Sequence, residues 1–225
     1  MSGTGRWDAV ALLYAPSPLA FDRALAQLLE LCSPHVNEYT FTQLLRAEHI
    51  GYRIVEQKDR RSVRQSEKSA ALHLDEVDKK ILLELSQNAR MSVVELAEKI
   101  PAPLHVAHYH LKTMQKRHII EAFKPKIDIG KLGYQLHLLL VQFAPINEAR
   151  KKQCIEFCRA HPSVYYVTNT IGNYNLMLDI HVRSTEEFRK VLWELKKEFS
   201  DVMSVYESLI IFDEYKIDYF TELFA

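Results

Sequence analysis

Residues 74–100 read LDEVDKKILLELSQNARMSVVELAEKI, and two helix starts can be placed in this stretch from side-chain chemistry alone. Asp75 can cap a helix, with Asp78 at its third position. Ser92 and Glu95 form a capping box, in which each side chain accepts from the other residue's backbone N–H. Behind the first cap, Val77, Ile81 and Leu85 recur at helical spacing, with Leu82 beside them. Asn88, Ala89 and Arg90 interrupt the pattern. Met91 before the second cap and Leu96 after it suit a hydrophobic staple. Pro101 and Pro103 end the short second helix and open a third, expected over residues 104–117. Three helices in this order predict a helix-turn-helix unit over residues 75–117.

On a wheel, the third helix presents Ala107, Leu111 and Met114 on one face, for packing on the first two. The opposite stripe is His105, Tyr109, Lys112 and Lys116, with His108 and Thr113 at its edges and Arg117 at its end. These are donors and cations long enough to reach phosphates and base edges. Residues 112–131 add a local basic excess: Lys112, Lys116, Arg117, Lys124, Lys126 and Lys131 against Glu121 and Asp128. That is what a helix in the major groove of double-stranded DNA needs from its flanks. The same stripe could also be a solvated face or a protein-contact surface, since this fold serves both.

Outward from this unit the pattern changes. Residues 119–126 (IIEAFKPK) suggest a short strand or wing. Residues 136–143 (LHLLLVQF) read as a strand and residues 147–160 as a helix. Strands at 164–170 and 174–182 flank a turn at Gly172 and Asn173. Ser184 can cap a helix reaching Phe199, and residues 203–212 form a last strand. The order βαββαβ fits a ferredoxin-like sandwich. Residues 57–71 (QKDRRSVRQSEKSAA) are polar and without period, a linker that adds cations to Arg53.

The chain's beginning repeats its end. Aligned without gaps, Phe21 falls opposite Phe188, Trp7 opposite Tyr174, Ser17 opposite Ser184, Leu28 opposite Leu195 and Tyr39 opposite Tyr206. Residues 6–54 are therefore expected to form a strand-helix-strand, half of a second sandwich. Such a piece has bare strand edges and an apolar helix face, so it should dock on a sandwich, its own or a partner's. The expected division is 1–56 as half-repeat, 57–73 as linker, 74–126 as winged helix-turn-helix, 127–134 as connector and 135–225 as sandwich. The fold class is α+β.

The ordered run of LDEVDKKILLELSQNARMSVVELAEKI followed by HLKTMQKRHIIEAFKPKIDIGKLGY resembles the Lrp/AsnC (feast/famine) family of transcriptional regulators. The resemblance extends to about Phe220 and includes the loop Gly172-Asn-Tyr-Asn175. It implies a ligand-responsive DNA-binding protein, a homodimer or higher homo-oligomer. It further implies an amino-acid effector held near Asn169, Gly172, Tyr174 and Asn175. Three departures stand out. Pro101-Ala-Pro-Leu104 and His108-Tyr-His110 replace the family's Gly-Leu-Ser-type turn and early arginines. Asp201-Val202, Val205 and Glu207 stand where the family favours Gly-Val and threonines, and residues 1–70 precede the family's usual start.

The rest of the composition narrows the function by exclusion. With 29 Lys and Arg against 29 Asp and Glu, no global field draws the chain to a polyanion, so any such site is a local patch. Three cysteines, Cys32, Cys154 and Cys158, are too few and too irregular for a secreted disulfide scaffold. No apolar run approaches the ~18 residues of a membrane span, and residues 1–6 lack a signal peptide's apolar core. A cytoplasmic protein is expected. His105, His108, His110 and His118 cluster in sequence, but no acidic or cysteine neighbour completes a metal set, and none is expected. Neither a phosphate-binding glycine loop nor a nucleophile elbow is present, so no cofactor and no enzyme is expected. The alternatives are an interaction module of this fold that no longer binds DNA, and a tetrapyrrole-modifying enzyme built on it.

Overall fold

The computed structural model describes residues 1–52, 73–215 and 220. The described residues divide into two compact units, residues 1–52 with 128–215, and residues 73–127 with 220. Arg53 and the linker of residues 57–71 with its cations Lys58, Arg60, Arg61, Arg64 and Lys68 lie outside the described residues.

The helical unit contains α2 (Glu76–Gln87), α3 (Val93–Lys99) and α4 (Leu104–Lys116). Both helix starts form as side-chain chemistry dictates. Asp75 accepts from the Asp78 N–H at 2.8 Å, and the Asp78 carboxylate accepts in return from the Asp75 N–H. Ser92 and Glu95 exchange the same pair of bonds, at 3.2 and 2.8 Å. The apolar faces meet in a core of Ile81, Leu85, Leu96, Ile100, Ala107 and Met114, with Met91 and Val93 packed at its edge. Each fully buried aliphatic side chain here contributes roughly 1.5–3 kcal/mol. Residues 119–126, expected as a strand or wing, form no strand. Ile119 and Ile120 fold back onto the helical core instead. A strand needs a ladder partner; among the described residues none pairs with this segment, and Pro125 has no N–H to offer.

The second unit is a six-stranded antiparallel sheet in the order β1-β6-β3-β5-β4-β2. Its centre is the ferredoxin-like βαββαβ of β3 (Gln135–Phe143), α5 (Glu148–Ala160), β4 (Val164–Gly172), β5 (Leu176–Val182), α6 (Thr185–Phe199) and β6 (Met203–Asp213). Strand periodicity explains the run at 138–141: Leu139 and Val141 face the helices, while Leu138 and Leu140 face the other way, and all four are buried. The helix-side core adds Val167, Leu178 and Ile180 from the sheet and Cys154, Cys158, Phe188, Val191, Leu195 and Phe199 from α5 and α6.

The N-terminal block supplies β1 (Ser2–Gly5), α1 (Pro18–Cys32) and β2 (Thr42–His49). It docks on the chain's own sandwich. β1 pairs with β6 at one edge and β2 with β4 at the other, which closes both edges of the four-stranded core. A buried carboxylate fastens the second edge: Glu48 of β2, 2% exposed, accepts from Arg159 of α5 at 2.5 Å and is ion-paired with Arg46 at 3.1 Å. The repeat places the first strand of this block at Trp7 and beyond, opposite Tyr174. The structure corrects this, because the strand is Ser2–Gly5. The reason is steric. A Cβ on Gly3 would lie 2.4 Å from the Ile210 carbonyl oxygen, and one on Gly5 2.3 Å from that of Ser208. Only a glycine-bearing segment approaches β6 that closely.

Candidate nucleic-acid interface

Helix α4 sorts its side chains by burial as the wheel requires. Ala107 and Met114 are buried, Leu111 is half-buried, and His105, His108, Tyr109, Lys112, Lys116 and Arg117 are exposed. Thr113 is half-buried at the margin. Among the described residues, the side chains of His105, His108, Lys112, Lys116 and Arg117 make no hydrogen bond or ion pair. Apart from Thr113, the expected DNA-binding residues thus stand exposed on α4, and the donors of His105, His108, Lys112, Lys116 and Arg117 are uncommitted. The start of α4 differs from those of α2 and α3. Its N-cap is Pro103, no side chain caps it, and its first turn holds no acid. Acids occupy the first turns of α2 (Glu76, Asp78) and α3 (Glu95). The positive end of the α4 dipole is left to whatever anion approaches.

His110 lies on another side of α4. Its Nδ1 is 2.8 Å from Asp78 Oδ1 and 3.7 Å from Asp75 Oδ2. The expectation that no acid joins the histidines is therefore wrong. Folding brings together two carboxylates and an imidazole whose ligand atoms lie within 4.8 Å of one another. Both carboxylates are already engaged in the α2 capping box, and the arrangement ties α4 to α2. Thirty-two positions separate His110 from Asp78, so no local pattern announced the pair.

The other predicted cluster, Asn169, Gly172, Tyr174 and Asn175, gathers at the end of the β4–β5 hairpin. Its polar groups are largely engaged within the chain. Asn175 Oδ1 accepts from the Phe143 N–H at 2.8 Å, and the Tyr174 carbonyl accepts from Thr170 Oγ1 at 2.8 Å and from Thr42 Oγ1 at 3.1 Å. Gly172, at φ 122°, lies in register with Thr42 of β2. Asn169 pairs with Arg46 across the same ladder, and its Oδ1 is buried without a hydrogen bond.

Tyr174 is only 7% exposed, and its hydroxyl donates to Glu207 on β6. Trp7 Nε1 donates to the same Glu207 carboxylate at 2.9 Å, and the Arg6 guanidinium lies 3.9 Å from it while bonding Glu38 at 2.7 Å. Burial, reinforced by the Glu207 charge, raises the Tyr174 pKa above its usual value. The residues missed in the sequence are therefore Arg6, Trp7 and Thr42. A signal for them existed: Glu207 stands where a threonine is favoured, and an out-of-place carboxylate calls for a donor. Asp201, the other acidic departure, finds Arg150 of α5 at 2.8 Å.

A winged helix-turn-helix DNA-binding family matches residues 74–121, which span all three helices of the helical unit. An uncharacterized HTH-type transcriptional regulator of Pyrococcus furiosus is 30% identical over 130 residues, 57% of this chain and 87% of the relative. Among solved structures, AsnC of Escherichia coli superposes with a TM-score of 0.55 at 20% identity, over 65% of this chain and 97% of that one. A transcriptional regulator of Neisseria meningitidis, in complex with L-Met, superposes with a TM-score of 0.58 at 19% identity, over 67% and 97%. No helix among the described residues is long and apolar enough to cross a membrane. With its capped helical triad, its ferredoxin-like sandwich and a relative matched over most of that relative's length, the chain belongs to the Lrp/AsnC family of DNA-binding transcriptional regulators.

Proposed function

We propose that this regulator acts in the cytoplasm as a homodimer or higher homo-oligomer, reads double-stranded DNA through α4, and has its output biased by an amino acid rather than by any enzymatic step. The observation that carries the DNA assignment is the single exposed stripe of His105, His108, Tyr109, Lys112, Lys116 and Arg117. A two-fold arrangement would set two such helices in successive major grooves. Support for self-association comes from the N-terminal block. None of the described residues of α1 is fully buried, and Leu12, Leu19, Leu31, Phe41 and Leu45 are each more than half exposed. Apolar surface on that scale calls for a partner.

The effector reading rests on the hairpin cluster and on the L-Met held by the Neisseria structure. In this chain an amino acid near Asn169, Gly172, Tyr174 and Asn175 would meet Trp7 and Glu207 already bonded there. It would act by displacing or extending that contact, with a coupling of about 1–3 kcal/mol to DNA binding.

The test selects operators from random duplexes with the full chain, then repeats the titration with Tyr109→Ala and Lys112→Ala. Both variants are expected to weaken binding without lowering the melting temperature. Unchanged affinity in both removes α4 from the interface. A thermal-shift screen of the common amino acids, on the full chain and on Trp7→Ala, tests the effector.

A further inference from the structure

Beside the polar stripe of α4 lies an apolar notch that the stripe does not explain. It is shallow, about 600 Å³, and lined by Val93 and Val94 at the start of α3 and by Leu104, His105 and His108 at the start of α4. Val94 is 55% exposed and Leu104 48% exposed. Val93 packs at the edge of the helical core, whereas neither Val94 nor Leu104 joins it. Instead two branched aliphatic residues stand in solvent next to the residues that would meet base edges.

We propose that this notch receives the C5 methyl groups of thymines in the major groove, and that Val94 and Leu104 thereby set the operator preference of this protein. The inference rests on the DNA-reading assignment of α4 made above. Among the groups that base pairs present in the major groove, the thymine methyl is the apolar one; the others are hydrogen-bond donors and acceptors. An aliphatic notch therefore discriminates thymine from the other bases by desolvation rather than by hydrogen bonding. The surroundings fit a nucleic acid and not an apolar peptide. Lys112, Lys116 and Arg117 continue along the same helix, no acid occupies its first turn, and the two histidines that rim the notch can bond purine edges beside the methyl.

The experiment uses the full chain and its selected operator, in which each thymine is replaced in turn by deoxyuridine. That exchange deletes one methyl and leaves the hydrogen-bonding edge intact. One or two positions per half-site are expected to lose about three- to fivefold in affinity, the worth of one buried methyl. At those positions the Leu104→Ala and Val94→Ala variants are expected to bind thymine and deoxyuridine operators equally. Both residues are substantially exposed, so their variants should melt as the parent does. Deoxyuridine tolerated at every position overturns the proposal, as does a Leu104→Ala variant that still prefers thymine. Specific binding that persists in either case leaves the α4 assignment standing. A chain that prefers no duplex over another overturns both.

Discussion

Around α4, the residues singled out in the sequence stand in solvent, and most of their donors are unbonded. Around the β4–β5 hairpin, Tyr174 is buried against Glu207 and Trp7, and Asn175 holds the Phe143 amide. The α4 stripe follows from helical periodicity and the hairpin cluster from the family resemblance, yet one is open and the other is closed by the chain itself. The element that closes it is the N-terminal block. Arg6 and Trp7 reach Glu207, and Thr42 reaches the hairpin carbonyls. A polar residue kept free at a surface is available for a ligand, whereas one satisfied internally first has to give up a bond of about 1 kcal/mol. On the proposed reading, the α4 stripe can take DNA as built, whereas a ligand at the hairpin has first to displace contacts made by the chain itself.

The sharpest way to break this contrast is to remove the support of the open face. Leu96 of α3 is fully buried in the core of the helical unit, and Leu96→Ala is expected to cost about 2–5 kcal/mol and abolish DNA binding, measured by denaturation and by a gel shift. Trp7→Ala should open the hairpin instead. It is expected to cost about 2 kcal/mol, less than a full core truncation because Trp7 is only partly buried, while DNA affinity per folded molecule is retained.

A third change probes the sheet by pH. Burial, with the nearby Glu214 charge, pushes the Asp179 carboxyl up to about 7, and burial pushes His181 down to about 4. A carboxyl raised on folding costs nothing below its unfolded value of about 4, and its penalty grows until pH passes 7. A histidine lowered on folding costs nothing above about pH 6.5, and its penalty grows as pH falls toward 4. Asp179→Asn should therefore stabilise the chain by about 1–2 kcal/mol at pH 8 and by nothing at pH 4. Equal gains at both values would mean that Asp179 is not held protonated. The smallest effect expected is that of Ser92→Ala, about 1 kcal/mol from the α3 cap, with Glu95 left without its partner.

Legibility in the sequence followed distance along the chain. The caps at Asp75, Ser92 and Ser184 were readable because a cap joins residues three apart, and α2, α3 and α6 begin where those caps put them, while α4 begins just after Pro103. The buried run at 138–141 was readable from strand period and composition. The repeat found α1, since Ser17 caps it as Ser184 caps α6, but it could not foresee burial. α6 buries Phe188, Val191, Leu195 and Phe199, whereas the described residues of α1 bury none, although the apolar spacing is shared. Which strand lies against β6 was decided by room for Gly3 and Gly5 and not by hydrophobicity. Pairs such as Asp78 with His110 and Trp7 with Glu207 join residues whose separation exceeds any local period.

The central claim is that the exposed stripe of α4 reads duplex DNA. Its most direct measurement is a fluorescence-anisotropy titration of the full chain on its selected operator and on a scrambled duplex, with the parent and with Lys112→Ala. The account predicts a preference for the operator of at least about 10³-fold at physiological salt. It also predicts a weaker parent-to-variant affinity and a salt slope reduced by about 1 in Lys112→Ala. Equal affinity for both duplexes, or a variant indistinguishable from the parent in affinity and salt slope, would contradict it.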